Sequence, residues 1–262
     1  MTETSVPPRT GFIAGAWLDP LTFPFNSNFP TPDRMPRISM AGLPSIEARV
    51  KRLLTFLTGH PHITQLVAHS AGCLPIHACM DQLHGRGIGK VVLLNPAPLP
   101  GVKLDLGDPL FWMTLKYGMQ LLRGRGVRLT KEEFAKLSVE MSPSEYQHMV
   151  PEPGNFLLEL ARAQWRKQVP VSQHNIGIIT YISGKADTML GRSQFLTQAL
   201  WHGFENVREF NRVRVGGGAS GDWLIKNALP GGPGEISSSH FGSMERFDIM
   251  LELLEKKNGF TL

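Results

Sequence analysis

Three apolar runs of strand length recur along the chain: "ITQLVA" at 63–68, "KVVLLNPAP" at 90–98 and "IGIITYIS" at 176–183. None alternates strictly between polar and apolar residues, so each predicts a strand buried on both faces. A shorter run, "GFIAGAW" at 11–17, reads the same way, and "VREFNRVRV" at 207–215 predicts a more exposed fifth strand. Helical patterns lie between them. In "SIEARVKRLLTFLTG", Val50, Leu53, Leu54 and Leu57 recur at helical spacing, and Gly59 offers a stop. Doubly buried strands separated by helices require a mainly parallel sheet flanked by helices, the α/β class.

From 106 to 168 helical patterns replace strands. "DPLFWMTLKYGMQLL" carries more large apolar residues than a surface helix needs, so the face of 110–122 serves either as packing or as a pocket lining. Thr130-Lys131-Glu132-Glu133 and Ser142-Pro143-Ser144-Glu145 both match the S/T-x-x-E capping box and predict two further helix starts. "NFLLELARAQW" predicts another helix. A helical insert that leaves a parallel sheet at a strand's C-terminal end predicts a lid over the edge where such sheets bind ligands. The expected organisation is a core of 1–105 and 169–262 with a helical cap of 106–168. The glycine-dense stretch 216–234 lacks the G-K-[ST] ending of a phosphate cradle and reads as a long loop.

In "LVAHSAGCLP", 66–75, a strand-like run stops at Ser70, with Ala68 two positions before it and Gly72 two positions after. A strand, a sharp turn and a helix around such a serine describe a nucleophile elbow, whose strained backbone tolerates only small neighbours. A plain strand-to-helix turn can carry the same letters. The sequence after Ser70 predicts a helix whose N-terminus favours negative charge at the serine, bent early by Pro75.

Together with this elbow, three other segments resemble the α/β-hydrolase superfamily, and the resemblance spans nearly the whole chain. "GFIAGAW" resembles its oxyanion strand, with Ala14-Gly15 where His-Gly is usual. "YISGKADTML" resembles the acid-bearing strand end, and "SSSHFGSMERF" the histidine loop before the last helix. The resemblance implies a triad of Ser70, Asp187 and His240, in the chain order this fold uses. It implies an oxyanion hole from the backbone N–H groups of Ala16 and Ala71, and no cofactor or metal. Two departures stand out. The chain is expected to lack the family's first two strands, and the stretch between the fifth strand and His240 is longer than the family's turn. Trp223 in that stretch is a candidate to fold over the pocket or a neighbouring subunit. Asp222 and Glu235 are reserve candidates for the acid. His69 is read as structural, and His60 and His62 as solvent-facing.

The resemblance implies a serine hydrolase that cleaves a carboxylic ester or thioester of a medium-sized apolar acyl group through an acyl-enzyme. Alternatives are a carrier-linked thioesterase or cyclase of secondary metabolism, or a non-catalytic ligand binder. The net charge of +5 includes a cluster of Arg123, Arg125, Arg128 and Lys131, either solvated surface or a contact for CoA or an acyl carrier protein. No basic stripe carries interleaved aromatics, so nucleic acid is not an expected partner. No run of eighteen apolar residues predicts a membrane span. Cys73 and Cys79 fit no metal spacing and read as buried thiols of a reducing compartment. With no signal-like start, the cytoplasm is the expected location.

Overall fold

The computed structural model describes residues 9–23, 30–104, 109–137, 145–168, 171, 178–184, 193–201, 203 and 235–236. Among the described residues, six strands form one sheet: β1 (Thr10–Ile13), β2 (Arg37–Ile38), β3 (Gln65–His69), β4 (Lys90–Leu94), β5 (Ile178–Gly184) and β6 (Glu235–Ile236). Their spatial order is β2-β1-β3-β4-β5-β6, and every pairing is parallel. All five side chains of β3 are buried, as a strand covered on both faces requires.

Register aligns the strand ends. Ile13 lies opposite Ala68, His69 opposite Leu94, and Leu94 opposite Ile182. The segments that follow β1, β3, β4 and β5 therefore all leave from one edge. From β1 the chain moves outward to β2, whereas from β3 it moves the other way to β4. The crevice between the ends of β1 and β3 is thus a topological switch point, where open α/β sheets take their ligands.

Helix α1 (Ile46–Gly59) starts at Ser45, whose side chain accepts the Ala48 N–H, and buries Ile46, Arg49, Leu53 and Leu57. Leucines on that stripe follow from helical periodicity; an arginine does not. After β3 come a 3₁₀ turn (Ser70–Gly72), α2 (Cys73–Ala78) and α3 (Met80–Gly85). The break falls at Cys79 and not at Pro75, contrary to the sequence expectation. Pro75 sits in the first turn of α2, where a missing N–H costs nothing.

Between β4 and β5 lie α4 (Pro109–Leu122), α5 (Lys131–Leu137) and α6 (Gly154–Ala163). Both halves of the predicted capping box at α5 form: the Thr130 N–H donates to Glu133 at 2.8 Å, and the Glu133 N–H donates to the Thr130 hydroxyl at 3.2 Å. Burial pushes the Glu133 carboxyl up, but hydrogen bonds from Tyr117, the Thr130 N–H and Lys116 outweigh it and hold the group below its ordinary range. Thr130→Ala is expected to cost about 1 kcal/mol of stability, read as a lower Cm in urea with an unchanged m-value.

The second predicted box does not start an α-helix within the described residues. Residues 142–144 lie outside them, and Glu145–His148 is a single 3₁₀ turn. Pro151 and Pro153 soon follow and oppose helical continuation. The predicted strand at 207–215 also lies outside the described residues, as do residues 1–8, which precede β1. Glu235 falls in β6, opposite Ser183, and not in the loop assigned to it. A two-residue strand leaves no periodic pattern to read. Among the described residues, no helix is long and apolar enough to cross a membrane.

Candidate active site

Ser70 follows the last residue of β3 directly and has φ = 49°. Only glycine visits the left-handed region freely, and a serine there carries roughly 1–2 kcal/mol of strain. Strain of this kind persists where surrounding structure over-determines it, often at functional sites. The surroundings here are tight. A methyl group on Gly72 would lie 2.5 Å from the Ala14 carbonyl oxygen and 2.9 Å from that of Ile13. One on Gly15 would lie 2.6 Å from Ser70 Cβ and 2.9 Å from His69 Nδ1. The demand for small residues read from the sequence is therefore a contact between the β1 and β3 ends across the switch point.

Ala97 adds to the hold, its N–H donating to the Ser70 carbonyl at 3.1 Å. Ala71 opens the turn after Ser70, where the first N–H groups have no partner within the turn. Ala16 comes one residue after the Gly15 contact. A helix does follow the serine turn, as the sequence predicts, but α2 has only six residues and its dipole adds little. Burial pushes the Cys79 thiol up to about 12, with Arg86 offsetting part of the effect, and holds Cys73 well above its usual range. Both thiols therefore stay protonated at neutral pH.

Asp187 and His240 lie outside the described residues, as do Asp222 and Trp223. The strands before the first two are in place. β5 ends at Gly184, three residues before Asp187, and β6 ends at Ile236, four before His240. His69 is fully buried, as a structural residue would be. His60 and His62 are half-buried: His60 stacks on Phe56 at 4.1 Å, and its Nδ1 lies 2.9 Å from the Phe56 carbonyl oxygen.

Three residues at this edge escaped the sequence reading. Trp17 has φ = 62° and is buried. Its N–H donates to Glu152 Oε2 at 2.9 Å, its indole N–H to the Val127 carbonyl at 3.0 Å, and its carbonyl accepts the Val150 N–H at 3.0 Å. Glu152 in turn pairs with Arg49 of α1, and both side chains are buried. Burial lowers the Arg49 guanidinium to about 9, the Glu159 carboxylate offsetting part of the shift, so it stays charged at neutral pH. Signals existed in the letters: Glu152 stands between two prolines, and Arg49 falls on the apolar stripe of α1.

A cavity of about 60 Å³ adjoins the site, lined by Trp17, Ala97, Leu99, Met113, Tyr117 and Leu157 among others. The apolar face of 110–122 divides accordingly. Met113, Tyr117 and Leu121 face the cavity, while Trp112, Leu115, Met119 and Leu122 are exposed.

No family profile matches the sequence, and no curated protein matches it. Solved structures do. An extracellular α/β-hydrolase from a Paenibacillus species, described as sharing structural and functional homology with tobacco salicylic acid binding protein 2, superposes with a TM-score of 0.55. The match covers 96% of this chain and 99% of that one at 15% identity. The chain has the α/β-hydrolase fold. A mutant of YbtT, the type II thioesterase of the yersiniabactin NRPS/PKS pathway, matches at TM-score 0.52 and 12% identity, over 97% of this chain and 94% of that one. In this fold Ser70 directly follows the central strand β3, and residues 14–17 follow its neighbour β1.

Proposed function

We propose that this α/β-hydrolase is a serine hydrolase of carboxylic esters or thioesters with a short apolar acyl group. The observation that carries the proposal is Ser70, held at positive φ against Gly15 at the switch point. His240 removes the proton from Ser70 Oγ as that oxygen attacks the acyl carbonyl carbon. The N–H groups of Ala16 and Ala71 receive the oxyanion, a contribution of about 10²–10³ in kcat per donor. Asp187 holds the imidazole tautomer and stabilises its cation. The proton then passes to the leaving oxygen or sulfur, leaving an acyl-enzyme. Water, deprotonated by His240, releases the acid and restores Ser70. No cofactor or metal takes part.

Residues 106–168 act as the cap in this reading, the core being 1–105 and 169–262. At about 60 Å³ the cavity is smaller than the ~150 Å³ that admits benzene, which favours a short acyl group. Two buried free thiols support a reducing compartment such as the cytoplasm. The test is fluorophosphonate labelling of the protein, with p-nitrophenyl esters and acyl thioesters of graded chain length as substrates. Labelling absent from the wild type would instead favour a ligand binder on this fold. Leu157→Ala, which widens the cavity, is expected to raise kcat/KM for the longer esters relative to acetate by about 10-fold or more. An unchanged chain-length profile would remove the cavity from the acyl site.

A second reading, a carrier-linked thioesterase or cyclase, draws on exposed Arg123 and Arg125, which directly follow α4, and on the thioesterase neighbour. Arg128 is partly committed elsewhere, since its guanidinium donates to the Gln147 carbonyl at 3.2 Å. Replacing Arg123 and Arg125 by serine should weaken acyl-carrier or acyl-CoA substrates and spare small esters if this reading holds.

A further inference from the structure

We infer that Glu152, buried and paired with Arg49, is a positioning residue whose acceptor oxygen holds the oxyanion loop in register with Ser70, so that the site depends on the insert being seated. The inference rests on the hydrolase reading and extends it to two residues outside the triad. Where the family's loop carries a histidine, this chain has Ala14, followed by Gly15 and Ala16. Those side chains offer no hydrogen bond with which the loop could brace itself. Trp17 ends the loop at φ = 62°, an unfavourable conformation for a bulky residue. Something outside the loop must hold it there.

All three of the Trp17 hydrogen bonds described above run to the insert: to Val127, Val150 and Glu152. Val127 and Glu152 are themselves locked by a pair of backbone hydrogen bonds, each 2.8 Å, across an antiparallel bridge. The Glu152 carboxylate then joins three parts of the molecule. One oxygen accepts from the Trp17 N–H, the other pairs with Arg49 of α1, and its backbone belongs to the insert. Arg49 is fixed in turn, lying 3.4 Å over the Phe156 ring of α6 and donating to the Leu43 carbonyl at 3.2 Å.

An ion pair is a costly way to fill this space, because buried charges lose their hydration and apolar groups of similar volume often stabilise as well or better. What apolar groups lack is an acceptor for the Trp17 N–H. That acceptor sets the backbone at 17, and through it the neighbouring N–H of Ala16, to the sub-ångström tolerance an oxyanion donor needs.

Two double variants separate positioning from mere attachment of the insert. R49M/E152Q and R49M/E152M both replace the ion pair by neutral groups of similar length. Only glutamine retains an oxygen for the Trp17 N–H. The expected result is that R49M/E152Q stays within about tenfold of wild-type kcat. R49M/E152M should lose about 10²–10³ in kcat, with KM within threefold and a Tm close to that of the glutamine variant. Equal kcat in the two variants would overturn the inference and leave the pair as an attachment only. Should wild-type Ser70 resist fluorophosphonate, the hydrolase reading fails first. Amide hydrogen exchange at Ala16 and Trp17 then decides the brace alone, faster in the methionine variant if the brace exists and equal in both if it does not. If neither variant folds, exchange in the wild type serves: protection of the Trp17 amide matching that of the α1 core supports the brace, and loop-like exchange overturns it.

Discussion

Replacing Ser70 by alanine is expected to abolish fluorophosphonate labelling and to lower kcat by a factor on the order of 10⁶, with KM little changed. The expectation follows from the roles of the two halves of the site. Removing Oγ removes the only group proposed to bond the acyl carbon. The loop proposed to bind the oxyanion should stay in place, because the Ser70 atom packed closest against Gly15 is Cβ, which alanine keeps. Residual activity should therefore remain about 10³–10⁴ above the uncatalysed rate, the share that an oxyanion hole and binding provide on their own. Alanine keeps Cβ at φ = 49° and loses no apolar contact, so Tm is the accompanying readout that the variant is folded. A variant that retained labelling would transfer the nucleophile to another residue and end the proposal for Ser70. His240→Ala should show a comparable loss in kcat, because an unassisted serine hydroxyl is a weak nucleophile.

The parts of this molecule legible in the sequence are those whose constraints are local. Doubly buried strands such as β3 and β4 leave an unbroken apolar run, so the parallel sheet could be read from residues 63–68 and 90–98. The elbow was legible for the same reason: a left-handed Ser70 between close-packed strand ends demands small neighbours within two positions. The Thr130–Glu133 box spans a single turn and was read correctly. The Arg49–Glu152 pairing was not legible, because the two residues meet across 103 positions of sequence and only their unusual placements show in the letters. A charge on a helix reads as its solvated face unless the partner is known. The break at Cys79 was misplaced because proline is a strong signal only when its N–H is needed, and in the first turn of α2 it is not. β6 was missed for want of length, since two residues cannot display a period.

The second large effect is expected at Gly15. Gly15→Ala should reduce kcat by at least 10²-fold while folding is retained, because the added methyl meets atoms that cannot yield. It would lie 2.6 Å from Ser70 Cβ, 2.9 Å from His69 Nδ1 and 3.0 Å from the His69 carbonyl oxygen. His69 is fully buried within the central strand and paired in register with β4, so its ring and carbonyl have little freedom to move. The strain must fall on the loop, which moves away from Ser70. A displacement of about 1 Å at a catalytic group costs on the order of 10² in rate. Overpacking itself should cost about 1–3 kcal/mol. The three Trp17 hydrogen bonds to the insert hold the loop from its far side and limit that movement to a small displacement. Two opposed constraints, glycine contact on one side and Glu152 on the other, define where the Ala16 N–H stands. Gly85→Ala is the matched control, because a methyl there meets no atom within 4 Å. Kinetics on a short p-nitrophenyl ester, with Tm for all three proteins, distinguish the cases. A Gly15→Ala enzyme as active as the Gly85→Ala control would mean that the loop does not contribute to catalysis, and the oxyanion hole would have to be sought elsewhere along the sheet edge.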